Sequence, residues 1–189
     1  MAALDLESVA SATQRDQVLI ARRRAYSAAV PSLPDKVGAI RAAATVFADQ
    51  GVAYALIGGV AVGIRSGVPR ATLGVDYAVA TSIDRAELVA RLSERGFRLK
   101  GEFAHSVNLE HDSGEPVQLA FDPLFDPMIE RAETIEFGDF TLRVVTREDL
   151  IAMKRRAAAD PGRRRSKALR DQADIALLEG DVPEPNEGW

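Results

Sequence analysis

The stretch Ala55-Leu56-Ile57-Gly58-Gly59-Val60-Ala61-Val62 constrains this chain more than any other. It belongs to the longest apolar run, residues 52–62, which is far short of the roughly 20 residues that cross a bilayer. Paired glycines weaken helix and strand interiors alike, so the run must divide. The reading is a short buried strand at 52–57, a break at Gly58-Gly59 and a short helix at 60–65. A strand that ends this way and enters a helix can bring bare backbone N–H groups against a phosphate, and the helix N-terminus adds partial positive charge there. Alone, the pair is equally well read as a tight turn. The next segment, Pro69-Arg70-Ala71-Thr72-Leu73-Gly74-Val75-Asp76, sharpens it. A strand predicted over 70–80 sets Leu73, Val75, Tyr77 and Val79 on one face, and Thr72, Gly74 and Asp76 on the other.

Composition removes several classes of chemistry. The chain of 189 residues has no cysteine, which excludes disulfides, thiolate metal sites and cysteine nucleophiles together. Its two histidines, His105 and His111, are too few for a multi-histidine zinc site. With 24 basic and 28 acidic residues the net charge is −4, so no global charge drives it onto nucleic acid or membrane. The N-terminal segment carries early acids and the run Arg22-Arg23-Arg24 where a signal peptide would be apolar. The expectation is a cytoplasmic protein without membrane association, working through carboxylate, hydroxyl, arginine and backbone chemistry.

The remaining segments predict an α/β chain with a mixed sheet core, N-terminal helices and a C-terminal helical segment. Residues 1–34 read as a helical arm, 35–145 as the α/β core, 146–180 as the helical segment and 181–189 as an acidic, proline-rich tail. Val37, Ile40, Ala44 and Phe47 give a helix at 35–50. Ser82 is the expected cap of a helix at 83–95. Strands at 104–111 and 116–121 flank Asp112-Ser113-Gly114-Glu115, and a hairpin at 134–145 turns on Gly138-Asp139. Thr146 with Asp149 resembles a capping box for a helix to about 159, and a closing helix covers 167–178.

Gly58-Gly59, Arg70-x-Thr72, Asp76, Asp149-Leu150-Ile151-Ala152-Met153-Lys154 and Arg170-Asp171-Gln172-Ala173-Asp174 occur in one order. In that order they resemble the nucleotidyltransferase superfamily, in particular the AbiEii/MNT-like branch of toxin–antitoxin and phage-defence systems. The resemblance covers residues 35–180. It implies transfer of a nucleoside monophosphate from a nucleoside triphosphate (NTP) to tRNA or to a partner protein, with Mg²⁺. Gly58, Gly59, Arg70, Thr72 and Lys154 would then hold the nucleotide, and Asp76 would bind metal and act catalytically. The partner protein would be a cognate toxin or antitoxin; the oligomeric state is left open.

The family pattern has Asp-x-Asp on the second strand and a third acid on a later one. Carboxylates at i and i+2 share a strand face and can hold two metal ions about 3.5–4 Å apart. This chain has Gly74 at the first position and Gln118 at the third, so Asp76 alone is kept. Asp122 is a candidate substitute, although it lies about 13 Å beyond Gln118 at strand rise. A positioned general base is worth about 10²–10⁴-fold and a metal clamp adds to that, so transfer is expected to be impaired. The alternative is a pseudoenzyme that binds nucleotide, RNA or a partner as a regulator.

Charge is also unevenly spread. Between Lys154 and Arg170 there are eight basic residues against Asp160, so this segment is +7 and the rest of the chain −11. Arg155, Arg163, Arg164, Arg165 and Arg170 make a candidate rim for RNA or for the phosphates of a nucleotide. A solvated helix pair with a charged connection is the plainer alternative. Asp171 and Asp174, three apart on one helix face, could order these cations or form ordinary intrahelical pairs with Lys167 or Arg170.

Overall fold

The computed structural model describes residues 34–182; the expected arm, with Arg22-Arg23-Arg24, and most of the acidic tail lie outside the described residues. Asp35 accepts a hydrogen bond from the Gly38 N–H at 2.8 Å and starts helix α1 (Lys36–Asp49). Strand β1 (Tyr54–Ile57) is buried along its whole length and passes directly into α2 (Gly58–Ser66). Then come β2 (Val75–Val79), α3 (Arg85–Ser93), β3 (Phe97–Phe103), β4 (Ser106–His111) and β5 (Pro116–Ala120). A 3₁₀ turn at Pro123–Phe125 leads to α4 (Asp126–Arg131), and β6 (Glu133–Phe137) with β7 (Phe140–Val144) forms the second hairpin. Two helices close the described chain, α5 (Arg147–Ala159) and α6 (Arg165–Glu179).

The seven strands form one mixed sheet in the order β3-β4-β5-β2-β1-β7-β6. β2 pairs antiparallel with β1 and parallel with β5, and β1 pairs parallel with β7. The α/β architecture with a mixed sheet is therefore the one the sequence predicts. The side chains of β2 take opposite sides. Tyr77 is fully buried toward α1, where the Phe47 ring centroid lies 5.1 Å away and that of Tyr54 5.8 Å. Asp76 faces the opposite side, toward α2 and the two C-terminal helices.

Four local readings are corrected. The second strand begins at Val75 rather than near Arg70, because residues 70–74 bend, with the Thr72 hydroxyl donating to the Gly74 carbonyl at 3.2 Å. Leu73, expected on the core face, is 57% exposed. The cap of α3 is Asp84 rather than Ser82, and one Asp84 carboxylate oxygen accepts from both Ala86 N and Glu87 N. Strand β3 and the six-residue α4 were not expected. β3 is an edge strand with a register shift between Leu99 and Gly101, which breaks its two-residue periodicity, and Arg98, Lys100 and Glu102 give it the charges of a protected edge.

The core carries a polar cost at Tyr77. The Tyr77 hydroxyl is buried, finds no hydrogen-bond partner among the described residues, and has its pKa pushed well up by burial. An unsatisfied buried hydroxyl costs about 1–3 kcal/mol. Tyr77→Phe is therefore expected to keep or raise stability by about 1 kcal/mol in urea denaturation. A loss of that size would show that the hydroxyl is satisfied.

Candidate functional site

The site is built where β1 becomes α2. Ile57 caps the helix without a side-chain hydrogen bond, so the N–H groups of the first turn are not taken up by a cap side chain. Gly58 has φ +69°, a conformation that L side chains rarely adopt. A Cβ there would also strike the Asp76 carboxylate, with Cγ at 2.8 Å. A Cβ on Gly59 would sit 2.8 Å from Thr72 Cβ and Oγ1 and against the Arg70 guanidinium. The two glycines therefore let Asp76, Thr72 and Arg70 close directly onto the backbone.

Asp76 is paired in register with Ile57 on one side and Gln118 on the other, and Gln118 is paired in turn with Asn108. A row of Asp76, Gln118 and Asn108 thus crosses three strands. The Gln118 amide donates to Asn108 Oδ1 at 3.0 Å and brings no charge to the row. At Gly74 a Cβ would lie 2.7 Å from the Pro116 carbonyl oxygen, a backbone atom that cannot turn aside. A side chain at 74 would force β2 and β5 apart locally, a kind of overpacking that costs about 1–3 kcal/mol.

The opposite wall comes from α5 and α6. Lys154 is 9% exposed, and its ammonium lies 3.0 Å from Asp171 and 2.8 Å from Asp174, which are 2% and 1% exposed. Asp174 also pairs with Arg70, and Asp171 with Arg163 at 2.6 Å. The chain of contacts Arg70–Asp174–Lys154–Asp171–Arg163 ties the bend before β2 to both helices.

Between the two walls lies a cavity of about 780 Å³. Gly58, Gly59, Arg70, Thr72, Gly74, Asp76, Gln118, Lys154, Arg163, Arg170 and Asp171 line it, and Asp174 stands behind Lys154 and Arg70. Lys167, which the sequence offered as an ion-pair partner within the basic segment, lines it too, as do Met153 and Leu73. The signal for Lys167 was present: Lys167, Arg170, Asp171 and Asp174 are spaced i, i+3, i+4, i+7, which is one helix face. Four other candidates are not at the cavity. Arg155 pairs with Glu179, Arg164 precedes α6 as its cap residue, and Arg165 opens that helix. The Asp122 carboxylate accepts from Leu124 N at 3.0 Å, which caps the 3₁₀ turn beyond the end of β5.

The family model described as nucleotidyl transferase AbiEii toxin, type IV toxin–antitoxin system, matches residues 42–187. This chain belongs to the AbiEii nucleotidyltransferase family. Solved structures agree on the fold. The chain is similar to the lincosamide antibiotic adenylyltransferase LnuA (TM-score 0.56, 14% identity, 76% of this chain and 96% of that one). It is also similar to the antibiotic-resistance factor ANT(2'')-Ia (TM-score 0.55, 19% identity, 77% and 84%). A third likeness is to an antigenic nucleotidyltransferase-like protein from Paracoccidioides brasiliensis (TM-score 0.55, 22% identity, 81% and 80%). No curated protein matches by sequence.

Nucleotidyltransferases generally work on an NTP with divalent metal, and this AbiEii member fits the two differently. The glycine turn and the cationic wall suit a polyphosphate. For metal, Asp76 has only the neutral Gln118 beside it, and among the described residues no three His, Asp or Glu side chains converge. The residues present do not make the carboxylate set that two divalent ions need.

Burial raises the Asp76 pKa, while Lys154, Lys36, Arg70 and Lys167 pull it back in part. The folded state therefore holds the proton more tightly than the unfolded chain. Stability from this group is full below the ordinary carboxylate value of about 4 and is lost as pH rises through the raised value. The stability of the wild type relative to Asp76→Asn is expected to fall as pH is raised through that window, measured by urea denaturation at stepped pH. A difference that is flat or rises with pH would contradict the assignment.

Proposed function

We propose that this AbiEii-family chain binds a nucleoside triphosphate over Gly58-Gly59 and has little or no capacity to transfer its nucleoside monophosphate. The observation that carries this reading is the single carboxylate of the row, Asp76, with neutral Gln118 in register beside it and no room for a side chain at Gly74. The uncapped first turn of α2 would take the phosphates, and Thr72 and Lys154 would support them from either side. Asp76 could accept a proton from an attacking hydroxyl, since burial makes it a stronger base than a free aspartate. A base by itself leaves the charge developing on the transferred phosphoryl group to the cationic wall alone. In a toxin–antitoxin setting such a protein would act by binding, with tRNA or a cognate partner protein as the molecule it engages.

The test uses each α-labelled NTP with Mg²⁺ or Mn²⁺, and bulk tRNA or cell lysate as acceptor. Retention of labelled NTP by the protein, with acceptor labelling no higher than that of Asp76→Ala, is the expected result. Labelling by the wild type that Asp76→Ala abolishes would overturn the impaired reading and restore an active transferase.

A further inference from the structure

The cavity is rich in positive charge where a two-metal site would be rich in negative charge. Arg70, Lys154, Arg163, Lys167 and Arg170 reach it, against Asp76, Asp171 and Asp174. Asp171 and Asp174 are already spent on Lys154, Arg70 and Arg163. Lys167 and Arg170, both exposed and both on the cavity face of α6, have no carboxylate partner among the described residues. The one carboxylate left to greet a divalent ion, Asp76, sits in the field of Lys154, Lys36, Arg70 and Lys167.

From this distribution we infer that the cavity takes its nucleoside triphosphate without a divalent ion, with Lys167 and Arg170 supplying the positive charge that metal would otherwise bring. The inference rests on the nucleotide-binding reading above and adds the form of the ligand. A divalent cation entering the cavity meets a surplus of positive side chains, and a metal-free triphosphate is the more negative ligand. Arginine and lysine bind phosphate oxygens by charge-assisted hydrogen bonds, the arginine in bidentate fashion. Magnesium in solution would then compete with the protein for the phosphates, so its addition should weaken binding by mass action.

The sequence-level rim of five arginines thus divides. Arg163 is committed to a buried carboxylate, Arg155 to Glu179, and Arg164 and Arg165 stand away from the cavity. Arg170 and Lys167, one turn apart on α6, are the pair free to move onto a ligand. Their stems are flexible and exposed, so substitution there leaves the core and the buried ion pairs in place.

The test is titration calorimetry of the full chain with ATP and GTP, in EDTA and again in millimolar Mg²⁺. Lys167→Ala and Arg170→Ala are run beside the wild type, with thermal midpoints to show that each is folded. Binding in EDTA at least as tight as in Mg²⁺, weakened about tenfold by either substitution, is the expected result. Binding that needs Mg²⁺ would overturn the metal-free inference and leave the nucleotide-binding reading standing. Binding in EDTA that neither substitution weakens would overturn the assignment to Lys167 and Arg170. No binding in either buffer by folded protein would overturn the nucleotide-binding reading itself, and this inference with it.

Discussion

Asp171 and Asp174 bring two negative charges to positions almost sealed from water. Removing a carboxylate from water costs several kcal/mol even after relaxation, and attraction repays it only when cations approach with good geometry. Lys154 answers both carboxylates, Arg70 answers Asp174, and Arg163 answers Asp171. Much of the site follows from that requirement. α5 must present Lys154 inward, the connection before α6 must return Arg163, and the bend before β2 must hold Arg70 over Gly59. Removing one partner would strand the others, so the wall is a structural unit before it is a binding surface.

The same requirement separates cations that hold the fold from cations that can hold a ligand. A basic run of this density reads in sequence as one patch. In three dimensions its members differ sharply: some neutralise buried acids, one makes a surface pair with Glu179, and two face the cavity without a paired carboxylate among the described residues. The acids divide in the same way. Asp149 works locally, accepting from Arg131 at 2.7 Å, which holds its carboxyl below the usual range, and from the Thr146 hydroxyl at 3.0 Å. Asp76 makes no ion pair among the described residues.

How much of this could be read from the chain alone depends on whether the signal is local. Gly58-Gly59, the Thr146 cap and the hairpin at Gly138-Asp139 are written in adjacent residues and were legible. The mixed sheet followed from the order of elements. Gly74 and Gln118 were legible as missing carboxylates, but the crowding at Gly74 was not. It arises only because parallel pairing of β2 with β5 carries the Pro116 carbonyl there. The edge strand β3 was hidden because its bulge and charges erase the alternation that marks a strand. Lys167 was hidden among like residues, since only the phase of α6 distinguishes it from Arg164 and Arg165.

In the proposed reading the Gly58-Gly59 turn cradles phosphate, and side-chain cations stand where carboxylate-held metal would be. A crystal structure grown with ATP and Mn²⁺, with data collected at the manganese absorption edge, tests it most directly. Triphosphate density over Gly58 and Gly59 within reach of Lys167 and Arg170, with no anomalous peak beside Asp76, is the expected result. Manganese bound between Asp76 and the triphosphate would contradict it.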